Sequence, residues 1–108
     1  MARFYLGELE EFVLLIVTLL REDAYGVVVV EELQKQAGRE VSISAVHAVL
    51  HRLEEKGFVV SYMGGASSER GGRRKRLFKT TAYGQQVIEQ LRDTRNNIWH
   101  NIAQTAAS

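Results

Sequence analysis

Cysteine and proline are both absent from the 108-residue chain. Without cysteine there is no disulfide and no thiolate metal site, and nothing calls for an oxidising compartment. Without proline, no helix interior loses a hydrogen bond by that route. Long apolar runs are missing as well. The strongest extends from Phe12 to Leu20 and is broken by Thr18, well short of the roughly 18 residues of a membrane-spanning helix. Glu8, Glu10 and Glu11 precede it where a secretion signal would be basic, so a cytoplasmic location is expected. Catalytic signatures are equally scarce. There is no nucleophile elbow, no phosphate-cradling glycine loop before a helix and no convergent carboxylate pair, so neither an enzyme nor a cofactor is expected.

What is present fits one folded unit: 45% of residues are hydrophobic and 25% charged, ordinary values for a globular domain. The net charge of +1 conceals an uneven distribution. Residues 1–40 carry −4, residues 41–80 carry +5, and residues 81–108 are neutral. A polyanion is drawn to the middle of such a chain and repelled by its start.

Hydrophobic spacing predicts a helix over Glu8 to Leu20, with Leu9, Phe12, Val13, Ile16, Leu19 and Leu20 on one stripe. A second helix is expected from Ala24 to Ala37. Val27 to Val30 would suit a strand, but Val29, Val30, Leu33 and Ala37 keep helical spacing and Gly38 is placed as a C-cap. Glu40-Val41 can supply only a very short strand. The clearest helix runs from the N-cap Ser42 to Lys56, with Val46, Val49, Leu50 and Leu53 as its apolar face. Phe58 to Met63 and Arg76 to Thr80 read as the two strands of a hairpin around a turn rich in glycine and serine. From Thr81 a last helix is expected to about Ala103. Its Ile88, Leu91, Arg95, Ile98 and Ile102 alternate three- and four-residue steps, the pattern of a dimerisation seam with one polar interruption.

The fold class is therefore α+β, mainly α: a winged helix-turn-helix of three helices and a β-hairpin wing over residues 1–80, continued by a C-terminal dimerisation helix over residues 81–108, in one compact unit. Small side chains at the front of a helix let it approach a major groove closely. Ser44, Ala45, His47, Ala48 and His51 are the candidate groove-facing set. Arg52 either holds a phosphate or pairs with Glu55 or Glu8. In the wing, Arg70, Arg73, Arg74, Lys75 and Arg76 crowd into seven residues whose other two are glycine. Cations neutralise phosphates and release counterions, and glycine lets backbone lie close to the duplex. Arg76, already entering the strand, is the most structural of the five. The bland reading of such a run is a solvated turn.

The chain resembles the PadR family of winged-helix regulators. The residues that carry this are Leu6-Gly7-Glu8, Ala24-Tyr25-Gly26, the stretch SISAVHAVLHRLEEKG over Ser42 to Gly57, Arg73 to Phe78, and Thr81-Ala82-Tyr83-Gly84. The resemblance implies dimerisation through the C-terminal helix and repression of nearby promoters, in the short subgroup with a single C-terminal helix. Similar proteins often have tyrosine where this chain has His47, whose donor is shorter in reach and pH-sensitive in charge. Tyrosine is also frequent where this chain has Phe78.

His47 and His51 share a helix face, but two ligands do not make a tight metal site, and no metal is expected. Trp99 packs in the dimer seam or against the first helix, or, as some similar regulators do, stacks a planar hydrophobic effector between subunits. The expected partners are a palindromic duplex DNA operator and a second copy of the chain, without a membrane. Two rivals remain: a winged helix used as a protein-interaction module without DNA binding, and a small-molecule-binding helical bundle.

Overall fold

The computed structural model describes residues 6–64 and 75–107. The first helix, α1, spans Glu8–Leu20. The Gly7 N–H donates to Glu10 Oε1 at 3.0 Å, which satisfies one of the donors left open at a helix start. A 3-10 turn over Arg21–Asp23 follows, with Arg21 at φ 54. Helix α2 spans Gly26–Ala37, two residues later than its apolar pattern suggested, because Ala24 is buried and used in another way. The valine run is helical, since Val29 and Leu33 reach the core only at that spacing. Gly38 closes it at φ 64, its N–H bonded to Gln34 O.

Helix α3 spans Ile43–Glu55, and the Ser42 hydroxyl caps it by accepting from Ala45 N–H at 3.1 Å. Gly57, at φ 81, turns the chain into the hairpin. Its strands, β1 over Val59–Met63 and β2 over Arg76–Thr80, pair antiparallel with Ser61 opposite Phe78. Glu40-Val41, which could supply at most a very short strand, forms none, and Val41 packs against the core. The edge of β2 is met by Ala24, whose carbonyl accepts from Phe78 N–H at 2.8 Å. The last helix, α4, spans Ala82–Ala107. It outlasts its apolar pattern by a turn, because Gln104 and the alanines beside it have high helix propensity.

The core joins α1 (Val13, Leu14, Ile16, Val17) to Val29 and Leu33 of α2 and to Val46, Val49, Leu50 and Leu53 of α3. Phe58, Val59 and Phe78 carry it into the hairpin, and Val87 and Ile88 into α4. Three helices with a hairpin laid across their open side are a winged helix-turn-helix, with α3 as its third helix.

Candidate nucleic-acid interface

Helix α3 turns its apolar stripe inward and so presents Ser44, His47, Ala48, His51 and Arg52 to solvent, with Ala45 half-buried at the edge. His47 lies against the start of α2, where Gly26 leaves room for its ring: a Cβ there would stand 2.8 Å from Nε2. His51 Nε2 is 3.7 Å from Glu55 Oε1, one turn on. His47 and His51 of α3 and Arg76 and Phe78 of β2 line one cleft of about 330 Å³, with Glu54 between them. Helix α3 and the wing base therefore form one continuous face. No group of three or more metal-ligating side chains occurs among the described residues.

Two of the wing cations are described, and both hold the hairpin. The Lys75 ammonium stands 3.5 Å from the centre of the Tyr25 ring, a cation–π contact that ties the start of β2 to the start of α2. Arg76 donates to Ser61 Oγ at 2.9 Å and lies 3.7 Å from Glu54. Arg70, Arg73 and Arg74 lie outside the described residues.

Arg52 pairs with neither Glu55 nor Glu8. Its guanidinium is 4.0 Å from Glu10 Oε2, which also accepts from Lys56 Nζ at 2.8 Å. Burial raises the Glu10 pKa, but the Lys56 hydrogen bond, the Gly7 N–H and the charges of Lys56 and Arg52 together outweigh it, so the carboxyl is held below its usual range. The Arg52 side chain remains 54% exposed, so Glu10 orients it without covering it.

Glu54 is the feature that spacing alone did not reveal. It accepts from the Ser61 backbone N–H at 3.0 Å and from Ser61 Oγ at 2.6 Å. The Ser61 hydroxyl first, then its N–H and the charges of Arg76 and His51, hold this carboxyl below its usual range against the opposing effect of burial. The available signal was its place: an acid at the border of the apolar stripe, next to Leu53.

The seam expected on α4 divides in two. Ile88 is buried in the chain's own core, Leu91 packs partly against it, and Arg95 donates to Glu11 of α1 at 2.7 Å. These three are held within the chain because α1 lies along the first half of α4. Every side chain from Arg92 to Ala106 is exposed, including Ile98, Trp99 and Ile102. Trp99, 68% exposed, borders a groove of about 390 Å³ with Leu15, Ile88, Arg92, Arg95 and Asn96.

Among the described residues no helix is long and apolar enough to cross a membrane. The family model described as the transcriptional regulator PadR-like family matches residues 13–90. A PadR family transcription regulator from Clostridium difficile R20291 is similar at 24% identity and TM-score 0.67, over 87% of this chain and 95% of that one. A padr family transcriptional regulator from Eggerthella lenta DSM 2243 is similar at 23% identity and TM-score 0.66, over 90% and 84%. A PadR-like regulator from Bacillus cereus reaches TM-score 0.71 at 18% identity, over 93% and 92%. No protein of curated function matches the chain.

Proposed function

Because the chain belongs to the PadR-like family of transcriptional regulators, and is thereby a regulator rather than an enzyme, we propose that it is a homodimeric repressor that binds a palindromic duplex operator. The observation that carries this reading is the shared face of α3 and the wing base, where His47, His51 and Arg76 border one cleft. Ser44, Ala45, His47, Ala48 and His51 meet base edges in the major groove, Arg52 meets a phosphate, and Arg70, Arg73 and Arg74 follow the flanking backbone. Lys75 and Arg76 hold the wing in place. Two recognition helices stand about 34 Å apart, one turn of duplex, when the last helices pair across a two-fold axis. Ile98 and Ile102 are the seam residues of that pairing. Bound at a promoter, the dimer blocks polymerase. A planar hydrophobic effector stacking on Trp99 relieves the block by changing the angle between the wings.

The test is a gel shift on the duplex upstream of its own gene, repeated over a salt series. Alanine at Arg70, Arg73 and Arg74 is expected to weaken binding and to flatten its salt dependence, because each phosphate contact contributes about one unit to the logarithmic slope. A parent protein that binds no duplex even at low salt would favour a protein-interaction module with the same fold.

A further inference from the structure

A recognition helix and a wing can read a duplex together only if the angle between them is fixed, yet here the chain joins them through a single turn at Gly57. A two-stranded hairpin has two open edges, and the N–H groups that point away from the ladder need partners. Ser61 and Phe78 face each other at its middle. The Phe78 N–H points outward to Ala24 O at 2.8 Å, and the Ser61 N–H points outward on the opposite edge to Glu54 of α3 at 3.0 Å. The Ser61 hydroxyl adds a second bond to the same carboxylate oxygen and receives one from Arg76 of β2. One acidic side chain on the recognition helix thus grips both strands of the wing.

A carboxylate on a face that binds polyanions opposes binding by simple charge. We infer that Glu54 is a positioning residue for DNA recognition, clamping the wing to the recognition helix through Ser61 and Arg76 so that the two reach the duplex as one rigid surface. The inference rests on the DNA-binding reading and adds to it a residue that touches no DNA. Removing the negative charge then weakens binding where bulk electrostatics would strengthen it.

The experiment measures affinity for the duplex upstream of the gene, at low salt and over a salt series, for the parent, Glu54→Ala and Ser61→Ala. Ser61→Ala removes the hydroxyl bonds and leaves every charge in place, so it covers the case in which Glu54→Ala fails to fold. Both variants are expected to bind about tenfold more weakly, the scale of losing one charge-assisted hydrogen bond. The loss should shrink to less than about twofold when Arg70, Arg73 and Arg74 are already alanine, because a clamp acting through the wing has nothing left to position. If the parent binds and both variants bind as well or better, or if their losses are the same with and without the wing arginines, the clamp is wrong while the DNA-binding reading stands. If the parent itself binds no duplex, both readings fall.

Discussion

Gly26 and Gly84 are both buried, but substituting them should have opposite consequences, because the atoms that a Cβ would meet differ in kind. At Gly84 a Cβ would stand 2.2 Å from the Phe58 carbonyl oxygen and 3.0 Å from its carbon. That carbonyl is already held by Thr81 N–H at the start of α4, so neither side can yield. Gly84→Ala should cost about 3 kcal/mol, the upper end of ordinary overpacking, and lower Tm by on the order of 10 °C. At Gly26 the obstacles are the ends of side chains, His47 Nε2 at 2.8 Å and Ile43 Cδ1 at 2.9 Å. These can swing away, and alanine gains up to about 1 kcal/mol over glycine within a helix. Gly26→Ala should therefore keep Tm within about 4 °C of the parent while displacing His47 from the recognition face. Thermal melts beside duplex titrations separate the two cases, and a Gly26→Ala protein with parental affinity would show that the His47 position is unimportant for binding.

At the scale of elements, the helices were legible wherever apolar residues recur on one face. The bounds of α1 and the N-cap of α3 follow from Leu9 to Leu20 and from Ser42, because period and capping are local properties. Ties between elements were not legible. The partner of Arg52 is Glu10, 42 positions away, and Glu54 reaches across a turn to Ser61; neither follows from spacing within one helix. Ile88 continues a heptad as well as Ile98 does, yet α1 covers the former and stops short of the latter, a difference that lies in the relative lengths of two helices. Glu10 is the tie with a measurable signature, because it joins α1 to the end of α3 through Lys56 and Arg52. Its pKa is lowered by folding. A group depressed in this way contributes its full stability above the ordinary carboxylate range, and the contribution is lost as pH falls through the lower, folded value. Glu10→Gln should thus be less stable than the parent at pH 7 by on the order of 1 kcal/mol, and the gap should close below about pH 4. Denaturant melts at the two pH values check this, and a gap that stays constant would mean that the carboxylate charge is not what matters.

The whole molecule extends 63 Å along its longest axis, because α4 continues well past the body that supports its first half. A helix of 26 residues rises about 39 Å. Residues 92–106, all exposed, would be a marginal helix in water if nothing covered them. Their apolar members are Ile98, Trp99 and Ile102, and the groove that Trp99 borders is also lined by Leu15 of α1, which is 40% exposed. A second copy of the chain presents the same surface, and a two-fold axis lets each α4 cover the other along with part of α1. The double substitution Ile98→Asp with Ile102→Asp places charges in that seam without touching the chain's own core. It should shift the protein in sedimentation from a dimer to a single chain of 12.2 kDa. Far-ultraviolet dichroism should lose helix at the same time, as the uncovered half of α4 frays. Operator affinity should fall by more than tenfold, since one half-site then binds without its twin. A double variant that still sediments as a dimer would move the interface off α4, and the geometry proposed for the paired recognition helices would go with it.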